Sequence, residues 1–125
     1  MPLRCLIVDD NTELVRAFGG LLQGDDLTVV GGATTAAEGL RRIEELRPDV
    51  VLLDVGVAED SAVDVARHLG DRSAPDVPRV IFMSAYNEDD FGEFVRDSPA
   101  VGFIAKSDLS AAAIMQLLGE DAAGP

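Results

Sequence analysis

The sequence Val50-Val51-Leu52-Leu53-Asp54 is a run of four apolar residues that ends at a carboxylate. A short, continuous apolar run is typical of a strand that is buried on both faces of a parallel sheet. Two further runs have the same form, since Cys5-Leu6-Ile7-Val8 ends at Asp9-Asp10 and Val80-Ile81-Phe82-Met83 ends at Ser84. The sequence therefore predicts three central parallel strands, each followed by a polar side chain.

Helical patterns lie between these runs and complete an alternating order. Apolar residues recur at helical spacing in several segments, and two more short runs resemble strands. The predicted helices span residues 14–24, 35–47, 62–69, 87–97 and 109–118, and the two additional strands span residues 27–30 and 101–105. Strands that alternate with helices form a parallel sheet covered on both faces. The fold class we expect is α/β: a doubly wound, five-stranded parallel sheet with flavodoxin-like strand order 2-1-3-4-5 and helices on both faces.

Two of the predicted helices carry specific local signals. The first has one apolar stripe, formed by Leu14, Phe18, Leu21 and Leu22. The second begins with Thr35-Ala36-Ala37-Glu38, which has the form of a capping box in which each end satisfies the other's free amide. It stops at Arg47-Pro48, because the residue before a proline disfavours helix. We place the domain at residues 1–119, and a tail or the start of a linker at residues 120–125.

Length and charge exclude several classes of protein. The chain has 125 residues, with 23 Asp and Glu against 10 Lys and Arg, and a formal net charge of −13. This length suits one domain with a real core, and a hydrophobic fraction of 47% is too high for a disordered acidic chain. A surface this acidic repels phosphate backbones, so we expect no direct binding of nucleic acid by this domain.

The cysteine count and the lack of a long apolar run indicate the cellular compartment in which the protein is expected. A single cysteine, Cys5, excludes a disulfide framework and a cysteine-based zinc site, and it suits a reducing environment. No apolar run approaches the roughly 18 residues of a membrane span, and residues 1–6 lack a signal-peptide pattern. We therefore expect a cytoplasmic protein that does not enter a membrane.

The residues that can carry chemistry follow the predicted strands. Asp9 and Asp10 follow the first strand, Asp54 the third, Ser84 the fourth and Lys106 the fifth. Ligands of open α/β sheets bind outside the carboxyl ends of the strands, where these side chains meet. Three close carboxylates need a compensating cation, and Mg²⁺ favours carboxylates together with water and phosphate oxygens. Lys106 and Ser84 add a charge and a donor for an anion, so the pattern predicts a site that accepts a phosphoryl group on a carboxylate.

Four motifs in this order give the chain a family resemblance. They are Asp9-Asp10-Asn11, Leu52-Leu53-Asp54, Met83-Ser84-Ala85 and Gly102-Phe103-Ile104-Ala105-Lys106. Together they span essentially the whole chain, which resembles the receiver domain of two-component response regulators. Residues 102–110 are similar to receivers attached to helix-turn-helix DNA-binding domains that bind as dimers. The resemblance implies a transcriptional output through a DNA-binding domain absent from this chain, and it is compatible with a homodimer.

The resemblance also implies a phosphoacceptor and a metal site. Asp54 would be the phosphoacceptor, receiving a phosphoryl group from a histidine kinase or a small phosphodonor. Asp9 and Asp10 would hold Mg²⁺ together with Asp54, and the backbone carbonyl of Gly56 would complete the protein ligands. Such a domain is a signalling switch that acts on itself, so we do not expect a metabolic enzyme.

Three more residues take roles from the same resemblance. Lys106 would pair with a phosphoryl oxygen, and the Ser84 hydroxyl would follow the phosphoryl group. Phe103 occupies the position of the switch aromatic, whose inward rotamer accompanies the movement of Ser84. This movement would remodel the face formed by the fourth predicted helix, the fifth strand and the last helix. Ser107 replaces the Pro that commonly follows the lysine, which leaves the isomer of the Lys106–Ser107 peptide bond open.

Two other functions fit part of the pattern. A Mg²⁺-dependent aspartyl phosphohydrolase would want a second acid two residues after its nucleophile, but position 56 is Gly. A receiver-like interaction module that works without phosphorylation usually lacks the acceptor, an acid or the lysine, and all are present here. Taken one at a time, Asp9-Asp10 could cap a helix, Lys106 could be a solvated surface residue and Phe103 a core aromatic. Only their shared sheet edge points to a site.

Overall fold

The fold is taken from a computed structural model, which describes residues 2–57, 78–85 and 100–123. The predicted helices at residues 62–69 and 87–97 lie outside these residues. Short 3₁₀ turns follow two strands, at Val55–Val57 and Lys106–Asp108. The strands are β1 (Leu3–Val8), β2 (Leu27–Ala33), β3 (Val50–Asp54), β4 (Arg79–Ser84) and β5 (Gly102–Ala105), and the helices are α1 (Thr12–Leu22), α2 (Ala36–Leu46) and α3 (Ala111–Ala123).

The five strands form one parallel sheet in the order β2-β1-β3-β4-β5. The predicted fold class and strand order are therefore confirmed. The register places Val8 beside Leu53, Asp54 beside Met83, and Ser84 beside Ala105. Because the carboxyl ends of four strands are nearly level, the residues that follow them lie along one edge of the sheet.

The first face of the sheet packs against α1 and α3. Ile7, Leu52 and Ile81 are fully buried there, in one cluster with Leu22 of α1 and Ile114 of α3. Burying a side chain of this size stabilises the fold by about 1.5–3 kcal/mol, so the alternate residues of each strand hold these two helices in place.

The second face of the sheet packs against α2. Leu6 and Phe82 are fully buried on this face and share a cluster with Ile43, with Leu40 and Leu46 packed against its margin. Leu40, Ile43 and Leu46 follow helical spacing, so they form one apolar face of α2. Helices thus cover both faces, and the continuous apolar runs of the central strands follow from burial on two sides.

The ends of the helices differ from the prediction in detail. In α1, Leu14 N–H donates to Asn11 Oδ1 at 3.1 Å, so the helix starts at Thr12 rather than at Leu14. In α2, Glu38 N–H donates to Thr35 Oγ1 at 3.1 Å as predicted, but the Glu38 carboxylate accepts from Thr34. In the predicted capping box the Glu38 carboxylate would accept from the Thr35 N–H, so the observed donor lies one residue earlier.

The apolar stripe of α1 was predicted wrongly at one position. Leu21 is 62% exposed, whereas Val15, Phe18 and Leu22 pack toward the sheet. Positions 15, 18 and 22 follow helical spacing, and this spacing turns position 21 toward solvent. An isolated exposed leucine is common on protein surfaces.

Strand β2 extends beyond its predicted end at residue 30. Gly31 and Gly32 belong to the strand, which continues to Ala33. A Cβ at Gly31 would lie 3.0 Å from Leu46 of α2, and a Cβ at Gly32 would collide with Val15 of α1. The two glycines therefore let one helix approach the strand closely on each face, instead of ending it.

The chain after β5 also differs from the prediction. Leu109 follows the 3₁₀ turn instead of starting a helix, and α3 begins at Ala111 with Ser110 Oγ accepting the Ala113 N–H at 3.0 Å. The helix runs to Ala123, five residues past its predicted end at Leu118. In the described parts of the chain every peptide bond is trans, including Lys106–Ser107. No helix among these residues has the length and hydropathy needed to cross a bilayer.

Candidate functional site

At the carboxyl edge of the sheet, a predicted site residue lies at the end of every strand except β2. Asp54 and Ser84 are the last residues of β3 and β4, and Asp9 and Lys106 immediately follow β1 and β5. Asp9, Asp54 and Ser84 are buried, with 0%, 6% and 4% exposure, whereas Asp10 is exposed. Buried polar side chains are unusual, and three at one edge indicate a built site.

Asp9 is held in place by its backbone and one carboxylate oxygen. Its N–H donates to Ala33 O at 3.0 Å, which joins the end of β1 to the end of β2. Its Oδ1 accepts the Asn11 N–H at 2.9 Å. The N-cap residue of α1 is Asn11. The Asp9 carboxylate therefore does not cap the helix, although an Asp-Asp pair before a helix usually does.

Lys106 connects the two buried carboxylates. Its Nζ lies 2.6 Å from Asp9 Oδ2 and 3.4 Å from Asp54 Oδ1, and only 16% of its side chain is exposed. Apart from the ion pair with Lys106, Asp9 Oδ2 has no hydrogen-bond partner among the described residues. One ammonium therefore balances two carboxylates that would otherwise repel each other.

The surroundings of Lys106 keep its side chain protonated. Burial is the largest single influence and by itself lowers the pKa of Lys106, because it disfavours the ammonium form. The hydrogen bond to Asp9 and the charges of Asp54 and Asp9 act in the opposite direction, and together they raise the pKa above its ordinary value. The side chain is thus a permanent cation at neutral pH.

The three aspartates fit a hard divalent cation. Asp9, Asp10 and Asp54 can each offer one carboxylate oxygen, and these atoms all lie within 4.8 Å of one another. Oxygen atoms this close together could hold one Mg²⁺, which prefers carboxylate ligands and water. The buried Oδ2 of Asp9, with a cation as its partner, also suits a metal ligand. Gly56 lies in the 3₁₀ turn that directly follows Asp54.

Comparison with known proteins identifies the family of this site. The family described as the response regulator receiver domain matches residues 5–118. The chain belongs to this family. It is a receiver domain of two-component response regulators, and its relatives include transcriptional regulators.

Two curated relatives illustrate the similarity of the receiver to larger proteins. The response regulator GacA of Pseudomonas viridiflava is 37% identical over 106 residues, which cover 83% of this chain and 48% of GacA. The DNA-binding transcriptional activator EvgA of Escherichia coli strain K12 is 27% identical over 106 residues, which cover 85% of this chain and 51% of EvgA. The receiver thus spans about half the length of these relatives.

A solved structure agrees with the fold of the receiver. The signal receiver domain of the putative response regulator NarL from Mycobacterium tuberculosis superposes with a TM-score of 0.78 at 27% identity. The comparison covers 99% of this chain and 98% of that one. The five-stranded sheet and its covering helices are therefore those of a receiver domain.

The remaining predicted site residues of the receiver lie beside this edge. Ser84, the last residue of β4, pairs in register with Ala105 of β5. Ala105 directly precedes Lys106, so Ser84 lies beside the start of the 3₁₀ turn Lys106–Asp108. Phe103 pairs with Phe82 and is half-buried against the α2-side core. Their roles toward a phosphoryl group stay predictions.

Sequence reasoning missed two features of the receiver site. It did not single out Asn11 as the cap of α1, although asparagine is among the preferred capping residues and stands just before the helix. It also did not predict that Lys106 lies nearer to Asp9 than to Asp54. No local pattern could show the second feature, because it depends on how β1, β3 and β5 are spaced across the sheet.

Proposed function

We propose that this receiver is a Mg²⁺-dependent phosphoacceptor, which takes a phosphoryl group onto Asp54 from a histidine kinase or a small phosphodonor. The observation that carries the proposal is the partly buried Lys106 ammonium between the buried Asp9 and Asp54, at 2.6 and 3.4 Å. A nucleophilic carboxylate, two further acids and a fixed cation at one sheet edge are the groups that phosphoryl transfer requires.

The reaction uses Asp54 as the nucleophile. One carboxylate oxygen attacks phosphorus, a new O–P bond forms, and the bond from phosphorus to the donor breaks, with the electron pair leaving on the donor. Asp9, Asp10, Asp54 and the carbonyl of Gly56 would hold Mg²⁺, which neutralises charge on the phosphoryl oxygens when it is bound. The burial of Asp54 keeps the acceptor largely out of water.

Lys106 and Ser84 then respond to the new anion. The Lys106 ammonium pairs with a phosphoryl oxygen, and the Ser84 hydroxyl donates to another. Phe103 follows Ser84 by turning inward, and this changes the face formed by the predicted helix at residues 87–97, β5 and α3. The position of Phe103 supports this role, since it is half-buried against the α2-side core on the strand next to the one that ends at Ser84.

The output that fits best is control of transcription in the cytoplasm. This rests on the similarity to GacA and to the DNA-binding transcriptional activator EvgA, in each of which the matched receiver covers only about half of the length. In this proposal a histidine kinase is the upstream partner, and phosphorylation controls a homodimer of the regulator. The receiver itself carries a net charge of −13, so DNA contacts would come from another domain.

The decisive test is the mass of the protein after incubation with Mg²⁺ and acetyl phosphate. We expect an increase of about 80 Da, one phosphoryl group, that is lost in Asp54→Asn. The matched control is Asp25→Asn, an exposed aspartate outside the site, which should still gain the adduct. If neither acetyl phosphate nor a histidine kinase gives an adduct, the chain is an interaction module. Steady turnover of phosphate esters would instead indicate a phosphohydrolase.

A further inference from the structure

The first turn of α1 lies against β2 at a residue that has no side chain. A Cβ at Gly32 would collide with Cγ1 of Val15. Val15 N–H donates to Asn11 O at 3.0 Å, which makes Val15 part of the turn that Asn11 begins. Asn11 N–H in turn donates to Asp9 Oδ1 at 2.9 Å. Gly32 is therefore linked, through one helical turn, to a carboxylate of the expected metal site.

We propose that Gly32 is a positioning residue of the magnesium site, because it sets how closely α1 approaches the sheet and thereby where Asn11 holds the Asp9 carboxylate. This inference rests on the magnesium site proposed above. Gly32 touches neither the metal nor a phosphoryl group, and it acts through Val15 and Asn11. Hydrogen bonds to a carboxylate that ligates a metal orient it, and losing one typically weakens metal binding about 10–100-fold.

The contact between Gly32 and Val15 transmits a change in side-chain size to the backbone of α1. A valine in a helix has one strongly preferred χ1 rotamer, so Val15 moves with its helix instead of rotating away. Its side chain is half-buried against the core cluster between α1 and the sheet. Because protein interiors are close-packed, space for an added methyl group must come from movement of the helix or the strand.

The strand is the less movable of the two partners. Asp9 N–H donates to Ala33 O at 3.0 Å, and Ala33 directly follows Gly32. This bond holds the end of β2 against the backbone of Asp9 itself. The first turn of α1 is therefore the part that yields to a side chain at position 32, and Asn11 moves away from the Asp9 carboxylate with it.

The neighbouring glycine provides a matched control. A Cβ at Gly31 would lie 3.0 Å from Cδ1 of Leu46, which belongs to α2 on the other face of the sheet. Gly31→Ala and Gly32→Ala thus add the same methyl group to adjacent residues of one strand, and each crowds a different helix. Among the described residues, α1 follows directly on the Asn11 N–H that binds Asp9, whereas no residue of α2 is hydrogen-bonded to Asp9.

Calorimetric titration with Mg²⁺ measures the effect on the site. Gly32→Ala should bind Mg²⁺ at least about tenfold more weakly than wild type, because Asp9 loses its orienting hydrogen bond. Gly31→Ala should stay within about twofold of wild type. Adding Val15→Ala to Gly32→Ala removes the methyl groups that the new side chain meets, so the double variant should recover most of the lost affinity. Urea unfolding of the metal-free proteins shows whether affinity merely follows stability.

Hydrogen exchange followed by NMR tests the same step in the absence of metal. The Asn11 N–H should exchange severalfold faster in Gly32→Ala than in wild type, because its bond to Asp9 Oδ1 is weakened. In Gly31→Ala it should exchange at the wild-type rate. The measurement reports on the contact between α1 and Asp9 directly, whether or not a metal binds.

The outcomes separate this inference from the function on which it rests. If the wild-type chain binds no Mg²⁺, the magnesium site itself is wrong, and the inference fails with it. If wild type binds Mg²⁺ and the two glycine variants lose affinity equally or not at all, the metal site stands and the positioning role of Gly32 is wrong. If Gly32→Ala is unfolded, all the proteins are compared in trimethylamine N-oxide, which favours the folded state. A variant still unfolded there contradicts the proposal, which requires movement of one turn and not loss of the fold.

Discussion

The two edges of the sheet carry similar charged residues but use them differently. At the amino edge, where the strands begin, the charged side chains bind backbone groups. Asp49 Oδ2 accepts the Arg4 N–H at 2.8 Å, and Arg4 Nη1 donates to Arg47 O at 3.1 Å. Arg79 Nη1 donates to Leu118 O at 3.4 Å. Here charged groups join strand starts to one another and to a helix.

At the carboxyl edge, charged side chains face one another. Asp9 and Asp54 are almost fully buried, and Lys106 is their shared cation. Arg4 and Asp49 at the amino edge are exposed, so water screens their charges and the loss of one costs little. A buried charge that loses its partner has no such screening. Burial, and not residue type, therefore distinguishes the candidate site from an ordinary set of surface contacts.

The largest expected effect is the loss of stability when the cation at the carboxyl edge is removed, compared with removal of a cation at the amino edge. In the presence of a chelator, Lys106→Met should lower the free energy of unfolding by roughly 3–5 kcal/mol, because it leaves the buried Asp9 carboxylate without its ion-pair partner. Arg4→Met should lower it by less than about 1 kcal/mol. Urea unfolding followed by circular dichroism measures both. Similar losses for the two variants would remove the distinction between the edges.

A smaller effect should come from the metal itself. Mg²⁺ binds only the folded site, so at one hundred times its dissociation constant it should stabilise the wild-type domain by about 2.7 kcal/mol. Asp9→Asn should lose most of this gain, whereas Asp49→Asn, the same change at the amino edge, should keep it. Thermal unfolding with and without Mg²⁺ compares the two. A gain retained in Asp9→Asn would show that Mg²⁺ acts elsewhere.

The fold was predictable because its signals are local. The apolar runs that end at Asp9, Asp54 and Ser84 show burial directly in the sequence, and alternation with helices leaves few arrangements of the sheet. The site was predictable for a related reason. Parallel strands bring their carboxyl ends to one edge, so residues far apart in the chain were expected to meet there.

The features that were not predicted depend on packing between distant segments. Gly31 and Gly32 suggested the end of a strand, but they remain in β2 because Leu46 and Val15 approach them from opposite faces. The preference of Lys106 for Asp9 likewise depends on tertiary distances. A pattern of residue types contains neither quantity, since both require the spacing of helices and strands in three dimensions.

The smallest expected effect comes from the middle of β1, between the two edges. Cys5 is fully buried, and burial raises the pKa of its thiol from 9.0 to about 12. Between these values the unfolded chain loses the thiol proton while the folded domain keeps it. The contribution of Cys5 to stability is therefore complete below pH 9 and declines as the pH rises toward 12.

Cys5→Ala isolates this contribution from other groups that titrate in alkali. At pH 10, one unit above the ordinary value, the cysteine should cost the wild-type domain about 1.4 kcal/mol of unfolding free energy relative to pH 8, and the variant should lack this loss. Urea unfolding of both proteins at the two pH values gives the difference. If wild type and variant weaken equally, the thiol is ionised in the folded domain as readily as in the unfolded chain, and the centre of β1 is more open to water than its burial indicates.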